Sequence, residues 1–210
     1  MDILRQSTRA AERPVVAWLT SRRVVLYSVL VLMSYAVFIA IWTAVARHAS
    51  ATGGVMPRPG ADFSVFWSAS YVMLHGAPSQ AYDFSAFSRL TTGLFPHLPR
   101  DVFAPWLYPP TYLLLVTPLA LLPFALGYPL FVALGVLMLG LAAWRVSGLR
   151  AIPGAARAGA FALIAAPCVF VTATLGQNAF LTAACAALAV YWAERRPPWA
   201  GLCIALLSVK

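Results

Sequence analysis

Residues 108–144 read YPPTYLLLVTPLALLPFALGYPLFVALGVLMLGLAAW, and whether they cross a membrane once or twice decides the arrangement of the chain. The stretch is uncharged and is broken by Pro118, Pro123 and Pro129. A helix needs about 20 apolar residues to span a hydrocarbon core, so these residues could form a hairpin of two spans, or a surface helix followed by one span. Flanking charge decides between them. Upstream, an apolar run over Val24–Ala46 is preceded by Arg5, Arg9, Arg13, Arg22 and Arg23, which puts the N-terminus in the cytoplasm. Downstream, Arg145, Arg150 and Arg157 follow the stretch, and Arg195 and Arg196 follow the next apolar pair. Two crossings would leave both arginine groups outside; one crossing brings both inside, as the positive-inside rule requires. We therefore read Pro109–Leu122 as a short helix at the outer interface and Ala125–Ala143 as the second span.

The rest follows outward from that choice. Residues 1–23 form a basic cytoplasmic N-terminus and 24–46 the first transmembrane helix. Residues 47–124 form a long outer loop, rich in Gly and Pro, with short helices expected around Phe63–Leu74 and Phe84–Leu90. Residues 125–210 hold transmembrane helices two to five. The third span is Ala158–Leu175, Gly176-Gln177-Asn178 is an outer turn, and Ala179–Ala193 returns to Glu194-Arg195-Arg196. A fifth run opens at Trp199 and reaches Lys210 after 12 residues, roughly 18 Å of helix. It stops partway through a bilayer, so the chain reads as the N-terminal portion of a longer protein and is expected to be inactive alone.

Composition agrees with an all-α polytopic membrane protein. The 210 residues are 61% hydrophobic and 10% charged, with a mean hydropathy of +0.79. That leaves too little polar surface for a soluble domain of this length. The net charge of +9 reads as a topology signal, with no nucleic-acid partner implied. Cys168, Cys185 and Cys203 lie inside apolar runs without ligand spacing and read as buried small hydrophobes. The first apolar run is too long for a cleavable signal peptide and lacks a small-residue cleavage site. The arginine bias suggests a GC-rich bacterial genome.

The polar residues that packing does not explain gather on the outer side: Asp62, the Tyr108-Pro109-Pro110 turn, Gln177-Asn178 and Lys210. Asp62 is one of only six acidic residues and sits among aromatics in Gly60-Ala61-Asp62-Phe63-Ser64-Val65-Phe66-Trp67. It can cap the following helix, act as a general base toward a sugar hydroxyl, or do both. Gln177 and Asn178 can satisfy the turn or bind hydroxyls of a polar ligand, because side-chain amides between apolar spans need partners. Lys210 falls near mid-depth, where an ionisable group lines a cavity or meets a charged partner such as a lipid phosphate. Asp83 and Asp101 read as turn or cap residues. His48, His75 and His97 show no ligand spacing and no Asp-x-Asp pair occurs, so a metal site is not supported.

Taken in order, several pieces resemble the N-terminal half of glycosyltransferase family 87. They are Gly60-x-Asp62-Phe63-x-x-Phe66-Trp67-x-Ala69-Ser70, Gly76-x-Pro78, Tyr82-Asp83, Tyr108-Pro109-Pro110-Thr111-Tyr112-Leu113-Leu114, Pro118-Leu119, Pro123-Phe124, Gly176-Gln177-Asn178, Arg196-Pro197, Ala200-Gly201-Leu202 and Lys210. The resemblance spans Gly60 to Lys210. It implies a GT-C-like bundle that moves a hexose, typically mannose, from a polyprenyl-phosphate donor to a glycan or glycolipid acceptor at the outer face of a bacterial cytoplasmic membrane. It implies Asp62 as the catalytic base, with no cofactor besides the donor itself. Arg58, Arg100 and Lys210 are candidates to face the donor phosphate, and Tyr108, Gln177 and Asn178 to line the substrate site. The alternative is a non-enzymatic transporter or flippase component for a lipid-linked glycan, which would use the same outer cavity without a base.

Overall fold

The computed structural model describes residues 20–54, 56, 58–96, 106–152 and 154–208, which are helical with no β-strand among them. Helix α1 (Ser21–Ala51) is capped by Thr20, whose hydroxyl accepts the Arg23 N–H at 3.4 Å. Its 31 residues extend about 46 Å at 1.5 Å per residue, beyond the ~30 Å of a hydrocarbon core. The segment between α1 and α5, read from charge as the outer segment, holds α2 (Ala61–His75), a 3₁₀ turn at Pro78–Tyr82, α3 (Phe84–Leu94), and α4 (Pro110–Val116) continuing as a 3₁₀ turn at Thr117–Leu121. Then come α5 (Phe124–Val146), a 3₁₀ turn at Leu149–Ala151, α6 (Ala155–Ala165), α7 (Pro167–Leu175), α8 (Ala179–Trp192) and α9 (Pro197–Leu207).

Helices α1 and α5 are each long and apolar enough to cross a membrane. Their large apolar side chains, among them Met33, Phe38 and Ile41 on α1 and Leu130, Leu137 and Leu141 on α5, stand exposed. Such a band is what lipid-facing helices present, since lipid tails are as apolar as leucine. The third expected span is not one straight helix. It is α6 and α7, bent by 52°. Pro167 is the cause: it has no N–H to continue the ladder and forces the residue before it out of the helical region, leaving Ala166 extended at φ −62°, ψ 132°. The fourth and fifth apolar runs form helices close to the bounds read from the sequence, and both are short. Helix α8 has 14 residues and α9 has 11, against the about 20 a full span needs. Pro129, expected to interrupt the chain, lies inside α5. So close to the helix start, its missing N–H frees one carbonyl, near the wet end of the helix.

Among its described residues the outer segment is largely helical. Phe63, Phe66, Ala69 and Val72 on α2 pack with Phe87, Trp106, Tyr112, Leu113 and Val116 into one buried core. Polar side chains lock α2 onto the interface element. Ser70 Oγ donates to the Thr117 carbonyl at 2.6 Å and accepts from Ala120 N–H at 2.8 Å, and Trp67 Nε1 donates to the Leu122 carbonyl at 3.0 Å. These bonds satisfy backbone groups that the proline-interrupted stretch at Pro118 and Pro123 cannot pair within itself. The helix read over Pro109–Leu122 is present as α4 with its 3₁₀ extension, packed against α2.

Candidate active site

The site is assembled where α2 begins. Gly60 occupies its N-cap in the left-handed region, at φ 84°. The turn brings the Gly60 N–H to the Thr174 carbonyl at 2.7 Å, and a Cβ there would press on the rings of Phe124 and Tyr128 at 3.2 Å. Asp62 is consequently a first-turn residue, and the capping role considered for it does not hold: glycine takes the boundary position. A first-turn carboxylate is favoured by the positive end of the helix dipole, and this one keeps both oxygens free of its own backbone. Its Oδ2 accepts a hydrogen bond from Gln177 Nε2 at 2.6 Å.

Gly176 makes that contact possible. Its φ is 75°, and a Cβ would lie 2.6 Å from Phe63 Cβ. The turn between α7 and α8 therefore lies directly on the start of α2, and only glycine fits both the conformation and the space. The Tyr128 hydroxyl reaches the Ala173 carbonyl at 2.8 Å and the Thr174 carbonyl at 3.0 Å, fixing the end of α7 from α5. This tyrosine was not foreseen as part of the site. A lone phenol in the apolar stretch Leu126-Gly127-Tyr128-Pro129 was the available signal.

Two tyrosines flank the pair. The Tyr108 phenol is pushed up from its ordinary value by burial and, secondarily, by the negative charge of Asp62, so it lies within electrostatic reach of that carboxylate. The Tyr112 phenol is also pushed up by burial, with the neighbouring Asn178 side chain opposing the shift. Trp106, Tyr108 and Tyr112 stack among themselves, with ring centroids 4.7–5.7 Å apart. Asn178 is only 3% exposed, and its Nδ2 is buried without a well-formed hydrogen bond. An unsatisfied buried amide costs free energy, and this one borders an open groove of about 360 Å³. The groove runs from Tyr112, Gln177 and Asn178 along Leu119, Phe131, Met138 and Leu181, so one end is polar and the rest apolar.

The other expected residues divide. Arg58 lies at the same end of the molecule, where its Nη2 donates to Ser50 Oγ at 3.1 Å and its Nε is buried without a partner. It makes no hydrogen bond to Asp62 among the described residues. Lys210 lies outside the described residues, as do Arg100, Asp101 and His97. Asp83 is the N-cap of α3, accepting Ala86 N–H at 2.9 Å. Cys185 and Cys203 are buried, but Cys168 is exposed, because it stands at the α6–α7 bend where neither helix covers it.

Comparison with known sequences bears on residues 106–210, which match the sequence model of a family described as Glycosyltransferase family 87. No curated protein and no solved structure matches the chain. Tyr108, Gln177 and Asn178 fall within the matched residues and Asp62 precedes them.

Proposed function

The chain belongs to glycosyltransferase family 87, and on that premise we propose that it transfers a hexose, mannose by the family resemblance, from a polyprenyl-phosphate donor to an acceptor hydroxyl, with Asp62 as the general base. The observation that carries this reading is the 2.6 Å hydrogen bond from Gln177 to Asp62. It joins an acid of the outer segment to a turn within the family-matched residues, and it orients the carboxylate. Gln177 engages Oδ2, so Oδ1 is left to accept the acceptor's proton. The deprotonating oxygen attacks the anomeric carbon, and the bond from that carbon to the phosphate oxygen breaks with its electron pair going to the leaving phosphate. Such a leaving group needs little protonation, so of the two carboxyl groups that inverting glycoside hydrolysis uses, only the base, on the face of the sugar opposite the phosphate, is required.

The groove supports a lipid-linked donor. Its apolar length suits an isoprenoid tail, and its end at Gln177 and Asn178 offers side-chain amides to the polar head. Arg58, and Arg100 and Lys210 beyond the described residues, are the cations proposed to face the phosphate. The outer face of a bacterial cytoplasmic membrane is the proposed location, with the arginine-rich turns inside.

The test is Asp62→Asn in the membrane-reconstituted protein, measuring sugar transfer from the polyprenyl-phosphate donor. A general base contributes about 10²–10⁴-fold to rate, so transfer should fall by that order while donor binding persists. Unchanged transfer would remove Asp62 from the mechanism. Movement of a lipid-linked glycan that survives the substitution, with no transfer by either form, would favour the carrier reading instead.

A further inference from the structure

The end of the bundle away from Asp62 holds a second site. Helices α1 and α6 run parallel: the Tyr35 hydroxyl donates to the Ala165 carbonyl at 3.2 Å, and a Cβ on Gly154, the N-cap of α6, would stand 3.9 Å from Ser21 Oγ at the start of α1. Both N-termini therefore open at one place. Between them lies a pocket of about 310 Å³ lined by Ser21, Arg22, Val25, Gly154 and Arg157. Two guanidinium groups share it, and its lining holds no carboxylate among the described residues. Neither helix carries an acid in its first turn. Antiparallel neighbours would cancel their dipoles; parallel ones add two partial positive charges to the two full ones. Guanidinium groups bind phosphate oxygens in a fork that a point charge does not match. Arg157 is held with its Cζ 6.0 Å from the Phe161 ring centre, which limits its wandering.

We propose that this pocket binds a phosphate group, supplied by an anionic phospholipid headgroup or by free phosphate. Its place at the ends of two apolar helices suits the headgroup, with Val25 at the start of the lipid-facing surface. The proposal does not depend on the chemistry at Asp62.

The protein is purified in micelles of a phosphate-free maltoside detergent and titrated with phosphatidylglycerol, and separately with inorganic phosphate, with bound adducts counted by native mass spectrometry. A charge-assisted contact to a phosphate is worth roughly tenfold in binding, so Arg22→Gln/Arg157→Gln should weaken retention about a hundredfold. Arg145→Gln/Arg196→Gln removes the same charge outside the pocket and should change it little. Selective phosphatidylglycerol binding without effect of inorganic phosphate assigns the headgroup; equal competition by inorganic phosphate assigns the free ion. No anion binding in either arm overturns the proposal, and so does an equal loss in both double variants. Circular dichroism of each variant checks folding, and Arg22→Lys/Arg157→Lys, which keeps the charge but not the fork, should fall between wild type and the glutamine pair.

Discussion

Tyr108 gives the residue-scale test of the site's electrostatics. Its phenol is raised first by burial and second by Asp62. Asp62→Asn removes the second cause and leaves the first, so the ionisation midpoint of Tyr108 should move down but stay above the ordinary value of about 10. Ultraviolet titration of tyrosinate, with Tyr108→Phe subtracted to isolate the residue, reads this directly; no movement would mean the two groups do not interact. The same shift has a sign for stability. The folded state favours the neutral phenol, so its contribution is complete below the unfolded value of about 10 and is lost as pH rises through the higher folded value. The alkaline fall in stability should therefore be shallower in Tyr108→Phe. The sequence singled out Asp62 and Gln177 separately, as an acid beside a helix and an amide in a turn. Their 2.6 Å contact was not legible, because it depends on where two turns over a hundred residues apart come to rest.

At the scale of elements, the site depends on the turn between α7 and α8 sitting on the first turn of α2. Gly176→Ala tests this. The left-handed conformation costs an L-residue about 1–2 kcal/mol, and overpacking typically adds about 1–3, so a loss of about 2–5 kcal/mol is expected on thermal unfolding. Transfer should fall too, since Gln177 is displaced with its neighbour. Gly140 on α5 is the control: a Cβ there meets nothing within 4 Å, so Gly140→Ala should be neutral or stabilise by about 0.5–1 kcal/mol. Equal behaviour of the two variants would remove the packing role assigned to Gly176. The interface helix was legible because charge forced it and Pro110 starts it. The bend between α6 and α7 was written at Pro167 yet passed over, since an apolar run that long reads as one span.

At the scale of the whole molecule, the reading is of a multi-pass membrane protein with its polar site at one end and the arginine-rich turns at the other. Single cysteines at Ser79 and Ser147, in a background with Cys168, Cys185 and Cys203 replaced, test it. A membrane-impermeant maleimide should label Ser79→Cys from the outer face and Ser147→Cys only after the inner face is opened; labelling of both from one side would overturn the arrangement. The amino-acid sequence by itself determined the class and the helical character, because hydropathy acts through the solvent and needs no partner; arginine placement supplied the orientation that the labelling tests. It also marked the residue types able to do chemistry. Only the tertiary structure decided that the outer segment packs into an aromatic core, that Gly60 and not Asp62 caps α2, and that Asn178 opens a groove. Those outcomes rest on side chains meeting across long separations in sequence, where close packing admits one arrangement and local pattern does not specify it.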